Sequence, residues 1–286
     1  MTTLVPTGGS VPAAGVSAGG KPAPSGLAEL FRGTRAEDRA ALIGYLPAGF
    51  PTVEKSIETL TAMIEGGCDL VEVGIPFSDP VLDGAVIQAA AETARRNGFR
   101  LRDVFTVVER VSAAGGRAVV MTYFNPILAY GVDAFARDLA AAGGLGVITP
   151  DLIVDEAQDW LAATRANGLD PIFLVAPSSS AERISRTAGS TGGFLYAAST
   201  MGVTGARDAV STSAPSLVAR CRELTDLPIG VGLGVRTGAQ AAQIAAYADA
   251  VIVGSAFCTA AGDNPAAVAT LAAELAEGVR SGVAAP

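Results

Sequence analysis

The sequence of 286 residues contains no histidine and only two lysines, Lys21 and Lys55. Without histidine, imidazole acid–base catalysis and most zinc sites are excluded. Lys21 lies in the N-terminal segment and Lys55 in a predicted outer helix, so neither is placed to form a Schiff base inside a core. Proton transfer in this chain must therefore rely on carboxylates, tyrosine, cysteine and water.

Cysteine is also scarce, and its three copies are widely spaced, which favours a reducing cytoplasm without a disulfide framework. The net charge of −8 argues against nucleic acid and anionic membranes as partners. No apolar run approaches the roughly 18–20 residues that span a bilayer. Residues 1–25 lack the basic and apolar regions of a secretory signal, and their Ala, Gly, Pro and Ser content predicts a disordered tail.

Apolar, strand-like runs alternate with longer amphipathic segments along the rest of the chain. A short helix is predicted within 26–40, and eight strands follow, at 41–47, 69–75, 117–123, 144–150, 171–177, 193–199, 228–235 and 248–256. Continuous apolar strands joined by helices predict a parallel sheet. Eight strand–helix units in about 250 residues predict an α/β (βα)8 TIM barrel, as a single domain over residues 26–286. A doubly wound open sheet is the alternative.

The second predicted strand, DLVEVGI (69–75), contains a glutamate. Alternation places Val71 and Val73 on the face under the helices, and Leu70 and Glu72 on the face toward the barrel interior. A buried charge costs several kcal/mol unless it is paired. Apolar surroundings raise the pKa of a carboxyl, so that it can donate a proton near neutral pH. A structural ion pair with arginine is the alternative, although no predicted strand carries an inward-facing arginine.

Glycine clusters follow the last three predicted strands, at 202–205, 231–238 and 253–256. Barrels commonly bind phosphate in these loops, because glycines let backbone N–H groups approach an anion and a helix N-terminus adds a favourable dipole. The long loop at 201–213 could close over the same group. For any single glycine a tight turn is the simpler explanation, but three clusters in these loops favour a phosphate site.

Three other side chains are open to two interpretations each. Asp83 precedes a predicted helix and could be its N-terminal cap. Tyr123 ends the third predicted strand and Tyr196 lies in the sixth, so either could be an ordinary half-buried aromatic residue. Position alone does not separate these interpretations from a role in a site at the C-terminal ends of the strands.

Seven segments, in order along the chain, resemble the tryptophan synthase alpha subunit family. They are LPAGFP (46–51), VEVGIPFSDPVLDG (71–84), MTYFNPILAYG (121–131), TPDL (149–152), STMGVTGAR (199–207), GVGLGVR (230–236) and VGSA (253–256). The resemblance covers nearly all of the predicted barrel, and the segment 71–84 is its most specific part.

The resemblance implies a carbon–carbon lyase that cleaves indole-3-glycerol phosphate to indole and glyceraldehyde 3-phosphate in L-tryptophan biosynthesis. It implies no cofactor in this chain. It also implies a pyridoxal-phosphate-dependent beta subunit as the partner, in an α2β2 complex in the cytoplasm.

The same resemblance implies a role for each matching residue. The catalytic residues are Glu72 as acid/base, Asp83 as the acceptor of the indole N–H, and Tyr196. The substrate contacts are Tyr123, Leu233 and Thr204, the last of which also contacts Asp83 when the site closes. The phosphate-binding residues are Gly205, Gly234, Gly254 and Ser255.

Three residues depart from the family pattern. Leu233 stands where the family often has phenylalanine, a modest change to the indole pocket, and Ala85 and Ile153 stand where it usually has proline in loops near the beta-subunit contact. Loss of a fixed φ loosens such loops. A stand-alone lyase that releases free indole is therefore an alternative. A non-catalytic subunit that only activates its partner is another, and a sugar-phosphate isomerase has no motif in its favour.

Overall fold

The computed structural model describes residues 25–198, 213–232 and 234–282. Within these ranges the strands are β1 (Ala41–Pro47), β2 (Leu70–Gly74), β3 (Ala118–Met121), β4 (Gly146–Ile148), β5 (Asp170–Ile172), β6 (Leu174–Val175), β7 (Leu195–Ala198), β8 (Ile229–Gly232) and β9 (Ala250–Val253). The helices are α1 (Gly26–Ala36), α2 (Val53–Glu65), α3 (Ala85–Arg96), α4 (Asp103–Ala113), α5 (Phe124–Tyr130), α6 (Val132–Ala141), α7 (Gln158–Ala166), α8 (Ala181–Ser190), α9 (Ser213–Arg222), α10 (Gly238–Ala245), α11 (Ser255–Asp263) and α12 (Pro265–Ser281). A short 3-10 helix covers Val154–Glu156.

The strands form one parallel sheet in the order β5-β4-β3-β2-β1-β9-β8-β7-β6. Its two outer strands, β5 and β6, are separated only by Phe173, whose carbonyl accepts the Tyr196 N–H at 3.1 Å. On the other side, the Ile172 carbonyl accepts the Thr149 N–H at 3.4 Å. The first and last strands of the sheet, β5 and β6, therefore form one continuous segment, which corresponds to the predicted strand 171–177. The sheet closes on itself, which confirms the predicted (βα)8 barrel.

Polar residues mark the starts of several helices. The side chain of the capping residue accepts a backbone N–H from the first turn, and this satisfies one of the donors that a helix leaves unpaired. The caps of this kind are Ser25, Thr52, Ser180, Thr237 and Asn264. Except for α1, the helices so fixed cover the outside of the sheet with their apolar faces.

The barrel interior has its own apolar cluster, separate from the larger cluster between strands and helices. Ile43 and Leu70 contribute to it from β1 and β2, together with Phe194. Helix α1 closes the N-terminal end of the barrel, because its Leu27 and Phe31 belong to the same cluster and the rings of Phe31 and Phe194 lie 5.6 Å apart. This end of the barrel is therefore dry and packed, which leaves the C-terminal end for polar groups.

Two helices have no counterpart among the predicted elements. Helix α5 follows β3 directly, and α11 begins at Ser255, where the sequence pattern predicted a strand up to residue 256. That boundary was wrong, because β9 ends at Val253. Every helix in the described ranges is too short or too polar to cross a bilayer. Residues 1–24 of the predicted tail and 201–212 of the predicted loop lie outside the described residues.

Candidate active site

Glu72 lies on the inner face of β2, as the alternation predicted. It is 1% exposed, and its atom Oε1 has no hydrogen-bond partner among the described residues. Leu70, two residues earlier on the same face, belongs to the inner apolar cluster. Burial raises the pKa of the Glu72 carboxyl from 4.5 to about 8. Glu72 is thus a carboxyl group that holds its proton at neutral pH and has a free oxygen at the mouth of the barrel.

Two tyrosines lie next to this carboxyl group. Tyr45 of β1 is in register with Glu72 in the parallel ladder, and burial, followed by the charges of Asp83 and then other nearby groups including Glu72, raises the pKa of its phenol. Burial, and then the charge of Glu72, also raises the pKa of Tyr196 on β7. Glycines make room for both rings, because a Cβ on Gly74 would collide with the Tyr45 phenol and one on Gly232 with the Tyr196 hydroxyl.

Tyr45 was not among the residues singled out from the sequence. The sequence could have indicated it, because strand alternation places Tyr45 on the same inward face of β1 as Ile43. The structure therefore adds this phenol to the group formed by Glu72 and Tyr196.

Asp83 is not the N-terminal cap of α3. The capping position is Gly84, and no side chain caps this helix. The Asp83 carboxyl instead accepts a hydrogen bond from the Tyr123 hydroxyl, with 3.5 Å between the two oxygens. Partial burial raises the pKa of Asp83, and the hydrogen bond from Tyr123 partly offsets that effect. The simpler interpretation of Asp83 as a cap is thus wrong, and its carboxyl is free to face the site.

The Tyr123 hydroxyl also organises the loop that carries Asp83. It accepts the backbone N–H groups of Val81 and Leu82, each at 3.0 Å. The Tyr123 ring packs against Phe77 from the start of the same loop, with 5.1 Å between the ring centroids. Tyr123 therefore contacts both ends of the segment between β2 and α3.

Gly254 and Ser255 lie at the start of α11, where backbone N–H groups are unpaired within the helix. The first helical hydrogen bond runs from the Cys258 N–H to the Gly254 carbonyl. A Cβ on Gly254 would lie 3.4 Å from the Tyr45 ring, which places this turn beside the tyrosine. Gly234, after the neighbouring strand β8, has a positive φ of 60°, which favours glycine. Unpaired N–H groups and the helix dipole at such a turn favour an anion.

Three of the predicted site residues, Thr204, Gly205 and Leu233, lie outside the described residues. The structure brings the others to the C-terminal end of the barrel: Glu72, Asp83, Tyr123, Tyr196, Gly234, Gly254 and Ser255. A protonated carboxyl, a second carboxyl and the N-terminal turn of α11 thus lie at the same end of the barrel. Such a set can deliver a proton to one atom of a phosphorylated substrate while it stabilises positive charge on another.

Comparisons with known proteins agree with this geometry. A family model described as tryptophan synthase alpha chain matches residues 31–284. The tryptophan synthase alpha chain of Mycobacteroides abscessus is 66% identical over 257 residues, which cover 90% of this chain and 98% of that relative. The corresponding chain of Nocardia farcinica is 65% identical over 257 residues, with 90% and 97% covered.

A solved structure of Mycobacterium tuberculosis tryptophan synthase has the same fold. Its TM-score is 0.87 at 61% sequence identity, and the alignment covers 90% of this chain and 99% of that one. A Pyrococcus furiosus tryptophan synthase alpha-subunit, at 32% identity, still gives a TM-score of 0.77 over 84% of this chain and 98% of that one. The resemblance found in the sequence is confirmed, and the chain belongs to the tryptophan synthase alpha chain family.

Proposed function

We propose that this chain is the lyase subunit of a tryptophan synthase and cleaves indole-3-glycerol phosphate to indole and glyceraldehyde 3-phosphate at the C-terminal end of its barrel. The observation that carries the proposal is Glu72, a fully buried carboxyl with a free oxygen and a pKa of about 8. A retro-aldol cleavage of this substrate begins with a proton delivered to indole C3. A carboxylic acid that is still protonated at pH 7 meets that requirement.

Asp83 supplies the complementary charge. Protonation at C3 places positive charge on the indole nitrogen, and a carboxylate that accepts the N1–H stabilises the charge where it develops. The hydroxyl on the glycerol carbon then gives its proton to the Glu72 carboxylate, which acts first as acid and then as base, and the bond between C3 and that carbon breaks. The electron pair of this bond returns to the ring, and the carbon becomes the aldehyde. The two protons balance, since one enters at C3 and one leaves the hydroxyl.

The phosphate end of the substrate fits the glycine-rich turns after β8 and β9. The N–H groups at the start of α11 and the positive φ of Gly234 support a phosphate there. Gly205, in the loop after β7, completes this set in our proposal. No lysine or metal is required by the chemistry, and we propose that this subunit works without a cofactor of its own.

We propose a beta subunit as the partner, in an α2β2 complex that holds pyridoxal phosphate only in the beta subunit and operates in the cytoplasm. The solved Mycobacterium tuberculosis relative is described as a structure of tryptophan synthase, which supports a partner of this kind. Hydrophobic side chains at the same end of the barrel support a docking face there, since Val81 is 67% exposed, Leu128 56% and Ile153 48%.

The decisive experiment measures glyceraldehyde 3-phosphate released from indole-3-glycerol phosphate by the purified chain, alone and with its cognate beta subunit. We expect slow release by the chain alone and strong activation by the partner. Glu72→Gln, which keeps the shape of the side chain but cannot deliver the proton, is the matched control. Absence of release in the complex would refute the proposal.

A stand-alone lyase is the second candidate. Ala85 occupies the first position of α3, where proline is favoured, and Ile153 lies exposed before the 3-10 helix. High turnover that the beta subunit leaves unchanged would favour this candidate. Activation on mixing would exclude it.

A further inference from the structure

Asp151, in the loop after β4, lies beside the site and is a candidate for a role in it. Its carboxylate accepts the backbone N–H of Phe124, at 2.9 Å to one oxygen and 3.2 Å to the other. Phe124 is the first residue of α5, and its neighbour Tyr123, at the capping position, gives that helix no side-chain cap. Asp151 therefore caps α5 from a neighbouring loop, across 27 residues of sequence.

This cap fixes the backbone next to Tyr123 and so affects the orientation of its side chain. The ladder between β3 and β4 extends to the Thr122 N–H, which donates to the Ile148 carbonyl at 3.1 Å. Beyond it the chain turns into α5, and the bond from Phe124 to Asp151 fixes the backbone on the far side of Tyr123. The tyrosine thus sits between two anchors, one on each side.

The loop that carries Asp83 depends on the tyrosine hydroxyl in turn. This oxygen accepts two backbone N–H groups, from Val81 and Leu82, and donates toward Asp83. The Val81 side chain is 67% exposed and adds little packing. A displaced Tyr123 would release two amide hydrogens and one contact to the carboxylate together.

We propose that Asp151 is a positioning residue that holds the α5 N-terminus, and through it the Tyr123 hydroxyl, so that the loop bearing Asp83 is set before substrate binds. The catalytic consequence of this inference rests on the proposed function. The hydrogen bonds that position the loop do not depend on it. The hydrogen-bond chain runs from Asp151 to Phe124, through Tyr123, to Val81, Leu82 and Asp83.

The structural test is amide hydrogen exchange at Val81 and Leu82, measured by NMR on the full-length ¹⁵N-labelled chain. Loss of a helix cap shifts local equilibria by about 3- to 30-fold, so Asp151→Ala should speed exchange of both amides by that factor. Asp151→Asn, whose side-chain oxygen still accepts an N–H, should restore near-normal exchange. Unchanged exchange in Asp151→Ala would overturn the proposal.

Asp155→Asn is the matched control. Asp155 lies four residues further along the same segment, is exposed, and forms an ion pair with Arg186 at 2.5 Å. Its loss removes a negative charge from the same region without touching α5. Exchange at Val81 and Leu82 should stay at the wild-type rate in this variant, and an increase equal to that of Asp151→Ala would refute a specific role of the cap.

Kinetics in two backgrounds test the route through Tyr123. Asp151→Ala should lower kcat/KM by about the same 3- to 30-fold, and Asp151→Asn should recover most of it. In a Tyr123→Phe background, where the hydroxyl is gone, Asp151→Ala should cause little further loss. If Asp151→Ala lowered kcat/KM by the same factor in both backgrounds, Asp151 would act by a route that does not involve the Tyr123 hydroxyl.

Two outcomes keep this test separate from the proposed function. If the wild-type complex shows no lyase activity, the proposed function fails while the exchange data still test the hydrogen-bond chain. Should Asp151→Ala not fold, Asp151→Ser, with a shorter side chain, gives the same prediction for exchange.

Discussion

Two carboxyl groups close together in sequence, Asp69 just before β2 and Glu72 in its middle, have opposite surroundings in the fold. Asp69, just before the strand, accepts two hydrogen bonds from the Arg39 guanidinium, each 2.8 Å long, and the Leu42 N–H at 2.9 Å. Glu72, three residues later, is 1% exposed and leaves Oε1 without a partner among the described residues. One strand thus carries a fully paired acid at the N-terminal end of the barrel and an unpaired one toward the C-terminal end.

The difference separates stability from function. A carboxylate that accepts hydrogen bonds from arginine and from a backbone N–H fixes local structure. A buried carboxyl without such partners is expensive in its charged form, so it keeps its proton and remains available to a substrate. If this comparison is right, changes at Asp69 alter the free energy of unfolding, and changes at Glu72 alter catalysis and its pH dependence.

The largest effect is expected for Glu72→Gln. The amide keeps the size of the side chain but cannot donate a proton to indole C3, so kcat/KM should fall by about 10²- to 10⁴-fold. The free energy of unfolding at pH 4 should change by no more than about 1 kcal/mol, because the Glu72 carboxyl is then mostly protonated in both the folded and the unfolded chain and has the same shape as the amide. A steady-state lyase assay and urea unfolding of the same preparation measure the two quantities. Retention of full activity would place the proton donor elsewhere.

The pH dependence of stability is the next largest effect. In the unfolded chain the Glu72 carboxyl ionises near its ordinary pKa of 4.5, whereas in the folded chain burial holds the pKa at about 8. The folded state therefore binds more protons across this interval, and stability falls as pH rises through it. We expect Glu72 to account for a loss of a few kcal/mol between pH 5 and pH 8.

Urea unfolding of wild type and Glu72→Gln at several pH values isolates this contribution, because the other titrating groups are shared. The two curves should diverge as pH rises, with the variant the more stable protein at pH 8. Parallel curves would show that Glu72 titrates normally in the fold. The kcat/KM of the wild type should decline above about pH 8, where the proton donor ionises, and at acid pH as Asp83 gains a proton.

Asp69→Ala should give a smaller effect, and it should lower the free energy of unfolding while leaving catalysis nearly unchanged. It removes the main partner of Arg39, whose side chain is 16% exposed, and leaves the buried Leu42 N–H without its acceptor. Arg39 keeps its ion pair with Glu37, so we expect a loss of about 3 kcal/mol in the free energy of unfolding. Activity per folded molecule should remain within about twofold of wild type. A tenfold fall in kcat with unchanged stability would reverse the comparison.

Glu72 also shows how much of the site could be predicted from the sequence. Strand alternation was enough to place it inside the barrel, because each side chain in a strand must face one side or the other. The barrel itself followed from eight apolar strands that alternate with helices. Local pattern was thus sufficient wherever the position of a residue is fixed by its own strand.

Asp83 and Asp151 mark where local pattern fails. Asp83 before a helix suggested a cap, but Gly84 takes the capping position and the Asp83 carboxyl accepts a hydrogen bond from Tyr123, 40 residues away. Asp151 carries no periodic signal, because its partner is a backbone N–H on another loop. Tyr45 was within reach of the alternation argument, but its importance depends on its register with Glu72. Contacts between loops depend on how the strands are arranged around the barrel, which spacing along the chain does not encode.

The smallest effect is expected at a third carboxylate, Glu58 on α2, which completes the comparison. Its ion pair with Lys55 is 2.6 Å long, shorter than the bonds that hold Asp69, but its side chain is 50% exposed and that of Lys55 55% exposed. Solvent already stabilises both charges, so Glu58→Gln should change the free energy of unfolding by no more than about 0.5 kcal/mol and leave kcat/KM unchanged. Urea unfolding beside Asp69→Ala measures the contrast directly. A loss as large as that of Asp69→Ala would mean that bond length, and not burial with a backbone partner, decides what a carboxylate contributes to this fold.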